Sequence, residues 1–162
     1  MTRAISRTVL RQMLAKAKRK LAAARRELKA GYWEEATTHA YYAAFHAITA
    51  VLATERLEFR SHAQTIGAFN SRFVRTGTFE KESAKILHRL FGNRQLADYD
   101  WTFVGDLESA KKDVQDSAAL VAQCRDFIKQ FELDPTSTST SNSSKTALPK
   151  TASAKKPKGE RA

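Results

Sequence analysis

The sequence predicts an all-α fold, an antiparallel bundle of about five helices followed by a disordered C-terminal tail. Three observations carry this expectation. Apolar residues recur at alternating spacings of three and four through most of residues 5–131, the period of a helix with one buried face. No stretch shows the alternation of a strand. The periodicity stops at Asp134, where the composition changes to Ser, Thr, Lys and Ala.

The first helix is expected over about residues 5–29, with Leu10, Leu14, Ala17, Leu21, Ala24 and Leu28 as its seam and Lys or Arg over the remainder. Gly31 follows as a stop, because glycine adopts the left-handed C-terminal cap without strain. So short a connection makes the second helix an antiparallel neighbour of the first. The second helix, centred on 36–52, is the element around which the chain is organised. Trp33, Tyr41, Ala44, Phe45, Ile48, Val51 and Leu52 form a broad apolar face, and Ala36, Ala40, Ala43, Ala47 and Ala50 form a smooth ridge beside it. A helix apolar over most of its circumference is normally buried. Its narrow polar stripe, Glu35, Thr38, His39, Tyr42, His46 and Thr49, is therefore either a network facing another subunit or the wall of a cleft.

Thr54–Arg60 reads as a polar connection. Ser61 with Gln64 has capping-box spacing and opens a third helix with His62, Ile66, Phe69 and Phe73 on one face. Thr76-Gly77-Thr78 is a turn, with Thr78 as N-cap of a fourth helix that runs to about Leu96 and buries Ala84, Leu87, Leu90 and Phe91. Arg94 falls on that same face. Asp98–Gly105 is a connection, and the fifth helix carries the seam Leu107, Ala110, Val114, Ser117, Val121, Cys124, Ile128 and Phe131. Residues 1–133 are thus one helical domain, and 134–162 are a basic tail that buries too little apolar surface to offset chain entropy.

The net charge of +11 is unevenly placed: residues 1–29 carry +9, residues 30–133 carry −2, and residues 134–162 carry +4. Basic ends suit phosphate-driven binding of nucleic acid, with Arg11, Lys18 and Arg25 as candidate nucleic-acid or partner contacts. A solvated helix face is the plain alternative. One cysteine, Cys124, rules out an intrachain disulfide and fits a cytoplasmic protein; it reads as a small buried residue rather than a reactive thiol. No apolar run is long enough to span a membrane, so no membrane association is expected.

Arg94 is the most informative candidate. An arginine on a buried face must be paired or face a site, because it stays charged and is costly to desolvate. Asp98 could pair with it if the helix continues, and Asp98, Tyr99 and Asp100 could orient it or a substrate. The alternative is an arginine that holds a phosphate. His62 is either a hydrogen-bonded core histidine or a catalyst, and His88 reads as surface. His39 and His46 stand two turns apart, and no HExxH, CxxC or phosphate-cradling glycine loop accompanies them; no metal and no cofactor is expected.

Four groups together resemble a known family. Tyr32-Trp33-Glu34-Glu35-Ala36, then Ala40-Tyr41-Tyr42-Ala43-Ala44-Phe45-His46-Ala47, then Ser61-His62, then Arg94 with Ala97-Asp98-Tyr99 resemble, in order and spacing, the small prokaryotic HEPN-domain proteins often encoded beside a minimal nucleotidyltransferase. The resemblance covers about residues 8–131. It implies an antiparallel bundle, usually a homodimer, that acts as a toxin or defence component. Active relatives are metal-independent endoribonucleases with a cleft at the dimer interface. In such a site an arginine holds the scissile phosphate, and a histidine after four to six intervening residues serves as acid or base for attack by the RNA 2′-hydroxyl. Here Tyr99, Asp100 and Trp101 stand where that histidine would. The candidate catalytic set is therefore Arg94, Asp98, Tyr99 and His62, with Tyr42 and His46 facing RNA or a partner. The resemblance leaves two functions open, an endoribonuclease of this kind and a non-catalytic module that binds RNA or a nucleotide or docks a nucleotidyltransferase antitoxin.

Overall fold

The computed structural model describes residues 5–134; of the tail assigned to 134–162, all but Asp134 lies outside them. The described residues form five α-helices: α1 (Arg7–Ala30), α2 (Trp33–Thr54), α3 (His62–Phe69), α4 (Lys81–Tyr99) and α5 (Leu107–Leu133). No strand occurs among the described residues. The fold is the all-α bundle that the periodicity predicts. No described helix is long and apolar enough to cross a membrane.

Each helix end has a local cause. Ser6 caps α1, its hydroxyl accepting from the Thr8 N–H. Gly31, at φ +86°, closes α1 in the left-handed conformation, with Tyr32 N–H donating to Glu27 C=O and Gly31 N–H to Leu28 C=O, the paired bonds of a Schellman cap. Glu34 and Glu35 stand in the first turn of α2, where they favour the positive end of the helix dipole. Ser61 accepts from Gln64 N–H at 3.4 Å, the half of the capping box that starts α3. Asp106 accepts from Ser109 N–H at 2.9 Å and starts α5.

The helix α2 packs against α1, α3, α4 and α5. All five ridge alanines, Ala36, Ala40, Ala43, Ala47 and Ala50, are fully buried. Their small side chains let a neighbouring backbone come close enough for Ser117 Oγ of α5 to donate to Ala40 C=O at 2.6 Å. Around them lie Tyr41, Ile48, Leu52, Leu87, Leu90, Leu120 and Ile128, each almost wholly removed from water. Phe69, Phe73, Phe79 and Phe127 close one end as edge-to-face and stacked pairs with centroids 5.0–6.2 Å apart. Cys124 is buried on the α5 seam, and burial alone pushes its thiol pKa far up, so it stays protonated.

Four local expectations change. Phe73 lies not on α3 but in a π-helical turn, Asn70–Val74, that prolongs it. The N-cap of α4 is Glu80 and not Thr78, because Phe79 is buried in the aromatic cluster and sets where the helix can begin. Leu107, expected on the α5 seam, is 45% exposed, because it is the first residue of the helix. Most consequential, α4 runs on to Tyr99 rather than Leu96, so Asp98 and Tyr99 are helical.

A polar group sits inside this core. Asp113 of α5 is 1% exposed. It accepts from Thr37 Oγ1 of α2 at 3.2 Å, from Asn93 Nδ2 of α4 at 3.1 and 3.2 Å, and from Arg89 Nε of α4 at 3.3 Å. Arg89 also pairs with Asp116. Burial is the largest influence on Asp113 and pushes its carboxyl above the usual range, against the pull of these donors. Three helices are thus joined at one carboxylate.

Candidate active site around Arg94

Because α4 continues past Gly92, Arg94 and Asp98 stand one turn apart. Arg94 Nε lies 2.9 Å from Asp98 Oδ2. The contact is an ion pair whose N–H is not aligned for a hydrogen bond, and Nε is buried without another partner among the described residues. Arg94 Nη2 donates to Tyr42 Oη at 2.7 Å. Asp98 is fixed from its other side by Thr38 Oγ1, which donates to Oδ1 at 2.7 Å. The guanidinium carbon lies 5.6, 5.3 and 5.4 Å from the ring centroids of Tyr41, Tyr42 and Tyr99, within cation–π range of all three. Burial works against the charge on Arg94, but Tyr42, Asp98 and Tyr99 outweigh it and push its pKa further up. The result is a permanent cation whose guanidinium is surrounded by three tyrosine rings, its position set by two residues of the α2 polar stripe.

His62, at the start of α3, joins the same cluster. Its Nδ1 is 2.8 Å from Tyr41 Oη, and its ring stacks on Phe45 with centroids 4.1 Å apart. Burial, with Arg94 opposing it, pushes the Tyr41 phenol pKa far up, so the phenol keeps its proton. The bond to His62 is the hydrogen bond that buried O–H makes among the described residues, which assigns Tyr41 as donor, Nδ1 as acceptor and the ring proton to Nε2. Burial and then the charge of Arg94 lower the His62 pKa, so the ring is neutral at pH 7.

His46 stacks on Tyr42 with centroids 6.3 Å apart. Burial, then Lys16, Lys20 and His62, lower its pKa to about 4. Its folded pKa lies below the unfolded value of about 6.5, so the unfolded chain takes up the proton first. The contribution of His46 is full above pH 6.5 and is lost as pH falls toward 4. His46→Gln is therefore expected to leave the melting temperature nearly unchanged at pH 7.5. It should flatten the loss of stability between pH 6.5 and 4 by roughly 1 kcal/mol, a figure reduced for the partial exposure of the ring. Parallel thermal melts at the two ends of that range measure it.

Six of the residues singled out from sequence thus meet: Arg94, Asp98, Tyr99, His62, Tyr42 and His46. Asp100 does not join them; it accepts from Thr102 N–H and Oγ1 at 2.9 and 2.7 Å and shapes its own turn. His39 pairs with Glu27 at 2.6 Å, and His88 is exposed. Nor do Arg11, Lys18 and Arg25 converge on Arg94. Arg11 pairs with Glu132 at 3.2 Å, Arg11 and Lys18 line a groove between α1 and α5, and Arg25 is exposed on the same flank of α1. The cations that act on the cluster are Lys16 and Lys20, on the opposite flank of α1. Sequence reading missed this pair, although Lys16 and Lys20 at i and i+4 stand about 100° from the Leu14–Leu21 seam. Among the described residues no three His, Cys, Asp or Glu side chains converge as a metal site would require.

Beside Arg94, the apolar side chains of Leu96, Tyr99 and Trp101 line one open hollow with Gln95, Asp100 and Thr102. Trp101 is fully exposed and Tyr99 68% exposed; Val104, nearby in sequence, and Tyr32, in the turn before α2, are exposed as well. The loop bearing Val104 is held to the start of α2 by Gly105 N–H, which donates to Glu34 Oε1 at 3.1 Å. A Cβ at Gly105 would lie 3.0 Å from Glu34 Cγ, so a larger residue there would require Glu34 to give by a few tenths of an ångström.

Comparison with known proteins agrees with this architecture. The family model described as HEPN domain matches residues 10–130. A UPF0332 protein of Thermotoga maritima is 39% identical over 64 residues, 40% of this chain and 48% of that protein, so the chain matches about half the length of that relative. Two proteins of Methanocaldococcus jannaschii are also similar. One, named "Putative toxin MJ0605", is 31% identical over 93 residues, 57% of this chain and 69% of that protein. The other, named "Putative toxin MJ0142", is 26% identical over 102 residues, 63% of this chain and 69% of that protein. With a single model matching from the α1 seam to the end of α5, the chain belongs to the HEPN domain family.

Proposed function

We propose that this protein is a toxin-like HEPN component that engages RNA at Arg94, works as a homodimer and cleaves RNA without a metal ion. The observation that carries the reading is the Arg94 centre itself: a permanent cation set in a tyrosine cage, beside two histidines that are neutral at pH 7. The guanidinium would hold a phosphate, the Nε2–H of His62 would donate to one of its non-bridging oxygens, and His46 would accept the proton of the attacking 2′-hydroxyl. The new bond to phosphorus closes a 2′,3′-cyclic phosphate as the bond to the 5′-oxygen of the next nucleotide breaks, and that oxygen takes its proton from water. Lys16 and Lys20 would hold flanking phosphates. The names of the two archaeal relatives support the toxin-like role.

One observation favours a second reading, the non-catalytic RNA- or nucleotide-binding or partner-docking module. No histidine follows Arg94 within the next seven residues, and Tyr41 occupies Nδ1 of His62. Incubation with RNA in EDTA separates the two. Cleavage that leaves a 2′,3′-cyclic phosphate, and that stops when the nucleotide at the cut site is 2′-deoxy, is the expected result. Binding without cleavage, by a folded dimer, would favour the second reading. Under both readings residues 1–133 are the working domain and 134–162 an appendage.

The apolar patch supports the homodimer. Exposed apolar side chains grouped as Leu96, Tyr99 and Trp101 are mark interaction sites, and the ring of Tyr99 belongs both to this group and to the Arg94 cage. A second copy seated there would close the open side of the site. Trp101→Arg is therefore expected to give a monomer by light scattering, with an unchanged circular dichroism spectrum, because Trp101 makes no core contact. A dimer unaffected by this substitution would remove the patch from the interface.

A further inference from the structure

The α1/α5 groove lies outside the Arg94 site and is built differently. It encloses about 420 Å³ and is lined by Arg11, Leu14, Ala15, Lys18, Arg125, Ile128, Lys129 and Glu132. Its floor is aliphatic: Leu14, Ala15 and Ile128. Its two rims are basic. Arg11 and Lys18 stand about 10 Å apart along α1, and Arg125 and Lys129 about 6 Å apart along α5, from the rise of 1.5 Å per residue. Arg11 is matched by Glu132 and Arg125 by Asp126. Lys18 and Lys129 have no ion-pair partner among the described residues. Because Arg7 and Arg11 both reach Glu132, the N-terminal end of α1 meets the C-terminal end of α5. The helices run antiparallel, and the groove between them is of the kind a third helix packs into.

We infer that this groove receives an acidic amphipathic helix from a different protein, its apolar residues on the Leu14–Ala15–Ile128 floor and its carboxylates against Lys18 and Lys129. Charge complementarity selects the occupant. Residues 135–162 of this chain carry six Lys or Arg against one acid and would be repelled. Single-stranded nucleic acid would satisfy the rims but not the floor, which offers no aromatic ring for a base to stack on. An acidic helix with one apolar stripe satisfies both, in the helix-in-groove mode of peptide recognition.

The test uses the full chain and three fluorescent probes. One is a helical peptide of roughly 18 residues with Leu at i, i+3, i+4 and i+7 and Glu on both flanks. The second is the same peptide with every Glu replaced by Lys, and the third is an oligouridylate. Anisotropy is measured for the wild type, for Lys18→Glu/Lys129→Glu, and for a charge-matched control, Lys85→Glu/Lys111→Glu, which alters exposed lysines that do not line the groove. The wild type should bind the Glu peptide at least about tenfold more tightly than the Lys peptide. The groove variant should lose about tenfold in affinity for the Glu peptide, and the control less than about twofold. Equal loss in both variants would reduce the effect to bulk charge and overturn the inference. So would displacement of the Glu peptide by oligouridylate in the wild type but not through the control lysines, which would make the groove a nucleic-acid surface. A concentration-dependent oligomer abolished only by the groove variant would make the occupant a second copy, and would equally overturn it.

Discussion

Arg94→Ala is expected to lower RNA cleavage by two to three orders of magnitude, the usual cost of removing one charge-stabilising donor from a site of this kind. The melting temperature should fall by only a few degrees. The two effects separate because of how Arg94 is held. Its guanidinium lies over the rings of Tyr41, Tyr42 and Tyr99, so truncation loses some cation–π energy. Yet its polar partners are not stranded in a dry core. Asp98 remains partly exposed and keeps the hydrogen bond from Thr38, and Tyr42 is only half-buried, so water can replace the guanidinium. Arg94→Lys should keep the charge but lose the planar fork that reaches Tyr42 and a phosphate together, and should fall between wild type and Ala. Rates at saturating RNA, measured beside thermal melts, check both halves. A wild-type rate in Arg94→Ala would remove this arginine from the chemistry.

The largest effect on stability is expected from Asp113→Ala. Its carboxylate accepts from Thr37, Asn93 and Arg89 inside the core. Removing it leaves three donors facing a cavity, one of them charged. Loss of one member of a buried charged network costs about 3–5 kcal/mol; here the lower end applies, because Arg89 keeps Asp116 and is 30% exposed. About 3 kcal/mol corresponds to a fall in melting temperature of roughly 10 °C for a domain of this size. Arg89→Ala leaves the buried carboxylate its two neutral donors and should cost less. Denaturant titrations of the two variants rank them, and an Asp113→Ala variant as stable as wild type would show that the network is replaceable by packing.

The reach of the sequence followed the range of the interaction involved. Helix existence and the buried faces were legible because periodicity is local: an apolar side chain every three or four residues can be satisfied in only one way. The central role of α2 followed from its composition, since a ridge of alanines with no exposed face must be surrounded. Gly31, Ser61 and the fifth-helix seam from Ala110 onward were legible for the same reason. The end of α4 was not. Gly92 and the polar run after it argue for an early stop, whereas the Arg94–Asp98 pair and the Thr38 bond to Asp98 favour another turn, and the second of these comes from a helix sixty residues away.

Amino-acid order by itself determined the all-α class, the order of the helices, the family resemblance and the candidacy of Arg94, because each rests on residue type and spacing along one helix. Tertiary structure decided which of the candidates meet. It joined Arg94 to His62 through Tyr41, set Lys16 and Lys20 rather than Arg11, Lys18 and Arg25 beside the cluster, and buried Asp113 under three donors. Asp113 was within reach of the pattern, being three residues from Ala110 and four from Ser117 on the α5 face, but an aspartate there reads as solvated until Thr37, Asn93 and Arg89 are seen to surround it. A helix fixes the angle of each side chain about its own axis, but only the packing of one helix on the next decides what that angle faces.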